Sequence, residues 1–399
     1  MLYTQGKTQC NPAEIGYDEK RLVVLNEFFQ TLIDDGEIQC AMYCLSRRGK
    51  VFAQGAVGRR IFDEDCVEAA QPDSVRYIAS ITKVFVAVAI MKLVEDGLTR
   101  LEVPLGEILP QFNSSPFNGI ALFHLLTHTS GMHPDGGCFN NKHDPGGYWH
   151  FIETAYEAYK NDKSEDKGEF DWISAALAHG VRMEPDKQWL YCSFGFVILG
   201  EIIHKLTGIH AHKYIEDFIC KPLGLKDTAF ELTPEMAKRY IIPNQDTREY
   251  INDIISGKQS EKDMPWAAIP STGGGMKSTA YDLMRFGNAI MFGGSIDGAR
   301  ILGRKAVEKM LAPAIHGKPD YCWGANESDR QYGIGFDLRD GAQFTLSPGS
   351  YQHGGAGHCE LFVDPKEELV AAWFVPYAKD GWFPRATWNV HNIIWSGLL

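Results

Sequence analysis

Residues 84–91 form an uninterrupted apolar stretch, eight positions without a polar side chain that directly follow Lys83. A helix that is apolar on every side has no face to turn toward solvent, so this pattern predicts a helix in the middle of the protein. Glu95 and Asp96 then mark its return to water, and Gly97 ends it. A lysine directly before such a segment either extends to water or is buried for a specific purpose.

Other patterns along the chain predict the remaining elements. Residues 17–36 have apolar positions at helical spacing, and the strands 41–46 and 51–57 flank the turn 47–50, where Gly49 is expected to adopt a positive φ. Further helices are predicted over residues 121–127, 148–160, 171–179, 194–206, 212–219, 279–292 and 387–395, and further strands over 332–338, 343–346, 359–363 and 369–375.

The order of these elements predicts an α/β (α+β) fold. We expect an antiparallel sheet that is built from both ends of the chain and flanked by helices. Residues 1–100 and 327–399 would form this sheet domain, and residues 101–326 would form an inserted, mostly helical lobe. The active site would lie in the cleft between the two, where ligand sites commonly occur.

Composition and charge narrow the classes of function. The chain has 399 residues, 44% of them hydrophobic, and can therefore bury a large core. Its formal net charge of -12 argues against a nucleic-acid or anionic-membrane surface, because both need clustered lysine and arginine. The sequence contains no stretch typical of a membrane span, a secretory signal or a glycine-rich nucleotide-binding loop. We expect a cytoplasmic protein without a cofactor that acts on a small molecule.

The cysteines point to a reducing compartment. Nine of them are scattered through the chain, and no two form a Cys-x-x-Cys pair. An odd number of dispersed cysteines is typical of reduced thiols rather than of a disulfide framework. The pattern therefore predicts free thiols throughout.

Ser80 and Lys83 are the first candidates for chemistry. A serine three residues before a lysine at the start of a helix places a hydroxyl and an amine on one face, about one turn apart. Burial disfavours the charged form of a lysine, and a neutral amine can accept the serine proton. The pattern alone also fits a capping serine beside a surface lysine, but the apolar helix that follows favours a nucleophile.

Two later segments could complete such a site. Tyr191-Cys-Ser193 leads into an apolar helix and offers a second proton-handling group, although an aromatic core residue beside a helix cap would look the same. Gln352-His353-Gly-Gly-Ala356-Gly-His358 precedes a predicted strand, and its glycines let another backbone or a ligand approach closely. Alone, this second segment could be a turn.

In their order along the chain, these three segments resemble the serine beta-lactamase and penicillin-binding-protein superfamily, whose motifs begin with Ser-x-x-Lys. The likeness is closest to its class C-like branch, which also includes esterases, D-aminopeptidases and DD-carboxypeptidases. It extends to three longer stretches, Leu125-Leu-Thr-His-Thr-Ser-Gly131, Pro222-Leu-Gly-Leu-Lys-Asp-Thr228 and Gly273-Gly-Gly-Met-Lys-Ser-Thr-Ala-Tyr-Asp-Leu283.

The resemblance implies a role for each matching residue. Ser80 would be the acylated nucleophile, and Lys83 would accept its proton. Tyr191 would pass a proton to the leaving group and help to activate the water that clears the acyl-enzyme. Splitting the reaction in this way replaces one difficult step by two easier ones and needs no metal.

The positions around the substrate depart from the family pattern in two places. The oxyanion hole is implied at the N–H groups of Ser80 and Ala356, next to Gly355. Ser193 stands where the family has asparagine, so it can hydrogen-bond the lysine or a substrate carbonyl only over a shorter reach. His353 stands where true beta-lactamases often have lysine, and a largely neutral histidine binds an anionic group less well. The histidine favours esters or small amides, whereas the shorter serine weakens the expected positioning of a substrate amide.

Three other patterns allow more than one interpretation. His124 and His128 are spaced four apart, but the glutamate of His-Glu-x-x-His is missing, so a structural hydrogen bond is favoured for His128 over zinc. The glycines 273–275 could cradle an anion or merely pack near the cleft. Residues 132–149 could form a lid or an exposed insertion, and the role of the whole 132–170 region stays open.

We therefore expect a serine hydrolase that cleaves a small ester or amide through an acyl-enzyme on Ser80, with carboxylesterase as the preferred activity. A beta-lactamase or a D-amino-acid peptidase, such as a DD-carboxypeptidase, is the alternative within the family. A protein of another class also stays open, namely a penicillin-binding sensor that is acylated without turnover, or a scaffold. The joint presence of Ser80, Lys83 and Tyr191 argues against a scaffold that has lost its activity.

Overall fold

A computed structural model of the chain describes residues 1–63, 67–138, 147–162, 171–260, 268–339, 345–376 and 384–399. The strands are β1 (Tyr3–Gln5), β2 (Cys40–Arg47), β3 (Lys50–Gly58), β4 (Arg76–Tyr77), β5 (Lys277–Ser278), β6 (Ser295–Ile296), β7 (Ala299–Arg300), β8 (Asp337–Arg339), β9 (Ser350–Gly355), β10 (Cys359–Asp364) and β11 (Leu369–Phe374). The helices are α1 (Lys20–Asp34), α2 (Thr82–Glu95), α3 (Leu122–Leu126), α4 (Gly147–Asn161), α5 (Trp172–Leu177), α6 (Ser193–Thr207), α7 (Ala211–Ile215), α8 (Lys221–Leu223), α9 (Pro234–Ala237), α10 (Gln245–Ser256), α11 (Ala280–Met291), α12 (Arg304–Leu311) and α13 (Trp388–Trp395).

The main sheet is antiparallel and joins the two ends of the chain. Within the described residues it has seven strands in the order β1-β3-β2-β11-β10-β9-β8. β2 and β3 form a hairpin whose turn residues Arg48 and Gly49 have φ of 53° and 76°. Positive φ at both central positions matches the right-handed twist of the flanking strands. The predicted fold class, an antiparallel sheet built from both ends and flanked by helices, is confirmed.

β2 shows that the sheet is covered on both faces. Met42 and Cys44 belong to the hydrophobic core that contains α2 and α11, whereas Tyr43 and Leu45 belong to the core that contains α1 and α13. Successive side chains of a strand point to opposite faces, so this alternation places the sheet between two layers of helices. The site described below lies on the α2 side.

α2 is the buried central helix that the apolar pattern predicts. From Thr82 through Met91 every residue of the helix is buried, and Phe85 stacks on Phe286 of α11 at 4.0 Å between ring centroids. Lys83 lies within this buried stretch instead of extending to water. The sequence allowed both positions for this lysine, and the structure decides for burial.

Several elements differ from the prediction. α10 and α12 were not among the predicted helices, and the predicted strand 332–338 is reduced to β8 at its end. The sequence allowed a turn for the segment that forms β9, because Gly354 and Gly355 are poor strand formers, but its pairing with β10 decides for a strand. Part of the predicted strand 343–346 lies outside the described residues, as does part of the 132–170 region.

The predicted division into a sheet domain and an inserted lobe at residues 100 and 326 stays a prediction. α11 belongs to the proposed insertion, yet it packs on the sheet. The side-chain amide of Asn288 in α11 donates to the Ser46 hydroxyl of β2 at 2.9 Å. Any division of the chain must therefore count α11 as part of the layer that covers the sheet.

One prediction about the cysteines is wrong. Cys138 and Cys322, which are 184 residues apart, form a disulfide. Spacing in the sequence gave no sign of this pair because the fold, and not the local chain, brings the two turns together. The six other cysteines that the structure describes are free thiols. The cytoplasmic location stays a prediction, and the cysteines no longer support it.

None of the helices in the described ranges is both long enough and apolar enough to cross a bilayer.

Candidate active site

Ser80 lies in a 3₁₀ turn, Ala79–Ile81, that leads directly into α2. The turn is held from outside, because the Ile78 N–H donates to the Met276 carbonyl at 3.0 Å and β4 pairs with β5. Ala79 has a φ of 45°, an uncommon conformation for a residue with a side chain. Ser80 itself stays partly exposed, so a substrate can reach its hydroxyl.

Lys83 lies behind the serine and is completely buried. Its Nζ donates to Ser80 Oγ at 3.0 Å and to the Gly273 carbonyl at 2.5 Å. The carbonyl gives the amine a second fixed partner, and this contact brings the glycine segment 273–275 to the site. The arrangement holds a nitrogen within proton-transfer distance of the hydroxyl.

The environment of Lys83 favours its neutral form. Burial lowers the pKa of the Lys83 ammonium to about 8, while the Asp135 carboxylate opposes this shift by attraction. A lysine with a pKa near the working pH has a usable fraction of neutral amine, which an exposed lysine lacks. The site can therefore offer a base without any metal.

Tyr191 lies over the same pair. The ring centroid of Tyr191 is 4.9 Å from Lys83 Nζ, and its hydroxyl hydrogen-bonds Ser80. Burial raises the pKa of the phenol well above its usual value, so Tyr191 keeps its proton at rest. Tyr191 can relay a proton between two groups. Of Tyr191 and Lys83, the lysine is the one that changes its protonation state near neutral pH.

Ser193 does not make the contacts expected for it. Its hydroxyl donates to Asp135 Oδ2 at 2.6 Å, and its backbone N–H donates to Asp135 Oδ1 at 2.8 Å. Ser193 is the first residue of α6, whose N-cap Cys192 makes no side-chain capping bond. Asp135 therefore caps α6 from a distant loop, which also suits the positive end of the helix dipole.

His353 lies in β9, 6.5 Å from Tyr191 between ring centroids, and is buried. Burial, together with repulsion from Lys83, lowers the pKa of the imidazole to about 4. Its Nδ1 lies 2.7 Å from the Gly354 carbonyl, and since a carbonyl only accepts, Nδ1 carries the proton. His353 is therefore a neutral side chain whose Nε2 has a lone pair, and it provides no charge for a substrate carboxylate.

Gly355 and Ala356 lie where β9 passes the nucleophile. A Cβ on Gly355 would come within 2.2 Å of the Ile78 carbonyl, so only glycine fits this close approach. Ala356 follows in the exposed turn after β9. The segment that leads to Ser80 and the end of β9 thus lie side by side, which is the placement that the implied oxyanion hole requires.

The longer stretches that carry the resemblance mostly support the site. His128 Nδ1 accepts from the Cys192 N–H at 3.0 Å, so His128 has the structural hydrogen bond favoured for it. Asp282 in α11 accepts from the Asp227 N–H and the Thr228 hydroxyl, each at 2.9 Å. This contact locks the 222–228 stretch to the 273–283 stretch that holds Lys83.

In the described part of the chain, no group of histidine, cysteine and acidic side chains is arranged to hold a metal.

The fold and this arrangement of serine, buried lysine and tyrosine define the class of protein, a serine hydrolase with the beta-lactamase fold. The chain belongs to the Beta-lactamase family, whose profile matches residues 25–389.

Similar proteins include both esterases and penicillin-binding proteins. Esterase EstB of Burkholderia gladioli is 25% identical over 306 residues, which cover 70% of this chain and 73% of the esterase. Penicillin-binding protein 4 of Amycolatopsis lactamdurans is 26% identical over 333 residues, covering 76% of this chain and 78% of that protein. The structure of a family VIII carboxylesterase matches with a TM-score of 0.71 at 17% identity over 100% of both chains, which is a likeness of fold.

Sequence reasoning missed two residues of the site. Asp135 lies in the region 132–149, whose glycines and histidines have no periodicity, and nothing in the sequence connects it to Ser193. Trp323 packs edge to face against Tyr191 at 5.1 Å between centroids, although its segment showed no pattern at all. Both residues reach the site through loops, which hydrophobic periodicity does not describe.

Proposed function

We propose that the chain hydrolyses small esters through an acyl-enzyme on Ser80. The observation that carries this proposal is the distance of 3.0 Å between Lys83 Nζ and Ser80 Oγ at the start of a buried helix. A lysine in an apolar environment is the kind of base that can activate a serine hydroxyl. The esterases among the similar proteins support the same reaction class.

Acylation would begin when neutral Lys83 takes the Ser80 proton and Oγ attacks the carbonyl carbon. The N–H groups of Ser80 and Ala356 would stabilise the oxyanion, each by about 3 kcal/mol. Tyr191 would then relay the proton from Lys83 to the leaving alkoxide as the ester bond breaks. In the second step, water would give up a proton along the same path, attack the acyl-enzyme and release the acid, and Ser80 would regain its proton.

The preference for esters follows from His353. A beta-lactam carries a carboxylate that the family's lysine helps to hold, and His353 stays neutral because burial lowers its pKa to about 4. An ester needs no such anion site. A beta-lactamase or DD-carboxypeptidase activity, which acts on substrates that carry a carboxylate, would therefore be weaker on this chain than turnover of a short-chain ester.

A parallel assay tests this proposal. Purified protein is given a short-chain p-nitrophenyl ester, a chromogenic cephalosporin and a D-alanyl p-nitroanilide, and its intact mass is followed throughout. We expect turnover of the ester, loss of essentially all of it in Ser80→Ala, and losses of at least about 100-fold in both Lys83→Ala and Tyr191→Phe.

The other outcomes have distinct meanings. Faster turnover of the cephalosporin or the anilide would replace the esterase by one of the two alternatives. A stable adduct on Ser80 without turnover would make the protein a sensor. Full activity in Ser80→Ala would overturn the mechanism.

A further inference from the structure

Asp135 places a carboxylate at the start of α6, where it attracts the Lys83 ammonium but takes no chemical step in the proposed hydrolysis. Its two oxygens accept from the hydroxyl and the N–H of Ser193, and its own N–H donates to the Tyr191 carbonyl at 2.8 Å. Asp135 is only partly buried. Among the described residues, no lysine, arginine or histidine lies within ion-pairing distance of it. Each carboxylate oxygen also has a further lone pair to offer.

Two polar side chains of the site, Ser193 and His353, offer acceptors rather than donors. Ser193 has one proton, and it is directed to Asp135 at 2.6 Å, so the serine can only accept from a substrate. His353 has its proton on Nδ1, toward the Gly354 carbonyl, which leaves Nε2 as an acceptor. A substrate that carries N–H donors near its carbonyl would satisfy these groups, whereas one that carries an anion would not.

The nearby cations are already engaged. Lys83 is held between Ser80 and the Gly273 carbonyl. Arg330 contacts Asp337, Glu327 and Asp320 at 2.9, 3.4 and 3.6 Å. Asp135, which has no such ion pair among the described residues, can therefore offer its negative charge to a ligand.

Trp323 adds an aromatic surface next to this carboxylate. Its side chain is 60% exposed, a large value for an indole. Trp323 is fixed to the turn after Asp135, because its N–H donates to the Gly137 carbonyl at 2.8 Å and its Nε1 donates to the Gly136 carbonyl at 3.2 Å. The face of an exposed indole close to a carboxylate is a favourable environment for an ammonium group.

We propose that Asp135 is a specificity-determining residue, and that with Trp323 it selects esters or amides that carry a protonated amine within a few bonds of the scissile carbonyl. This inference rests on the proposed function, since it assigns a substrate class to the same site. It also goes beyond the capping of α6 by Asp135. An asparagine would keep an acceptor for the Ser193 N–H but would have no charge for an amine.

Binding to the Ser80→Ala variant tests the inference without any turnover. The two probes are N-benzyl-β-alaninamide and N-benzylbutanamide, which have nearly the same shape and differ by an ammonium in place of a methyl group. Calorimetry is expected to give a Kd at least about 10-fold lower for the ammonium probe, and added salt should reduce the difference. Asp135→Asn in the same background should bring the two Kd values to within about twofold of each other.

Two control variants separate charge recognition from structure. Asp96→Asn removes an exposed carboxylate at the end of α2 and should leave both Kd values unchanged. Trp323→Leu should weaken the preference several-fold, whereas Tyr321→Leu, which replaces a neighbouring aromatic that is 48% exposed, should not. The tryptophan variant still tests the site if Asp135→Asn does not fold, because an exposed side chain contributes little to folding.

The result that overturns the inference is specific. Equal Kd values for the two probes, absence of binding by both, or a preference that survives Asp135→Asn would each rule out Asp135 as the selecting group. The proposed function fails by a different route, namely through absence of Ser80-dependent turnover of any ester. The binding result can therefore stand even if the hydrolysis does not.

Discussion

At the scale of single residues, Lys83 is where chemistry and stability oppose each other. The helix around it is apolar, and burial lowers the pKa of its amine to about 8. The same burial that makes the amine a base also disfavours the charged lysine in the folded state. Its two hydrogen bonds, to Ser80 and to the Gly273 carbonyl, compensate only part of that cost.

The pH dependence of ester hydrolysis should report this residue. Because only the neutral amine accepts a proton, kcat/KM for an uncharged ester is expected to rise with pH, with a midpoint near 8 and a plateau above it. The measurement is a pH profile from about 6 to about 10 with one p-nitrophenyl ester. An acid limb near the ordinary histidine pKa of about 6.5 would instead point to an imidazole base.

Replacing Lys83 should separate stability from activity. The pKa of Lys83 is lower in the folded protein than in the unfolded chain, so the unfolded state binds more protons between the two values, and the wild type gains stability as pH rises through that window. We expect Lys83→Met to lose turnover. The free energy of unfolding of Lys83→Met minus that of wild type should be highest below pH 8. This difference should fall by about 3 kcal/mol toward pH 10.5, because only the wild type gains stability over that range.

Lys92→Met is the matched control for that series. Lys92 is on the same helix but is partly exposed and pairs with Asp96 at 2.8 Å. Its stability difference from wild type should not follow the pH dependence expected for Lys83→Met, and its turnover should be normal. Denaturant unfolding at several pH values provides the comparison, and a flat difference for Lys83→Met would contradict the burial argument.

At the scale of elements, the end of β9 passes very close to the segment before Ser80. Gly355 permits it, because a Cβ there would lie 2.2 Å from the Ile78 carbonyl. The neighbouring Gly354 faces a side chain instead, because a Cβ added there would lie 2.9 Å from a carboxylate oxygen of Glu360. A side-chain end can move more easily than a backbone carbonyl, so these adjacent glycines make a matched pair.

Gly355→Ala is expected to reduce kcat by at least about 100-fold, the usual cost of losing one oxyanion donor. The added methyl would push the strand away from the Ser80 turn and misplace the Ala356 N–H. Gly354→Ala should keep most of the activity, since only Glu360 has to shift. Both variants can be compared by ester turnover and thermal unfolding, and equal losses of activity in the two would argue against an oxyanion role for this strand end.

How far the sequence predicted these elements depends on the kind of signal. The apolar run 84–91 predicted α2. Two short apolar segments on either side of a glycine-containing turn predicted the β2–β3 hairpin, because both patterns are local. The conformation of β9 stayed open because its glycines are poor strand formers and its pairing with β10 sets it. Asp135 was missed because a tertiary cap on α6 involves residues 58 positions apart.

At the scale of the whole molecule, the disulfide joins two turns that lie next to Tyr191. Cys138 closes the turn that begins at Asp135, and Cys322 precedes Trp323. The cysteines lie in one small buried cluster with Trp189 and Tyr191. Ser80 and Lys83 are held by other contacts, to the Met276 carbonyl and the Gly273 carbonyl. The bond therefore supports the turns that carry Asp135 and Trp323 more than it supports Ser80.

This placement predicts how the protein responds to loss of the bond. A disulfide across 184 residues restricts the unfolded chain strongly, so the double variant Cys138→Ala/Cys322→Ala should unfold at a temperature several degrees lower. Its KM for an ester should rise about threefold to tenfold while kcat changes less. Looser turns at Asp135 and Trp323 would weaken substrate binding but leave Ser80 and Lys83 in contact. Treating the wild type with a reductant should reproduce both effects, which separates loss of the bond from loss of side-chain volume.

Cys10→Ala, at a partly exposed free thiol, should change neither the unfolding temperature nor KM. An unchanged unfolding temperature and KM in the double variant would mean that the two turns are held by packing and hydrogen bonds alone.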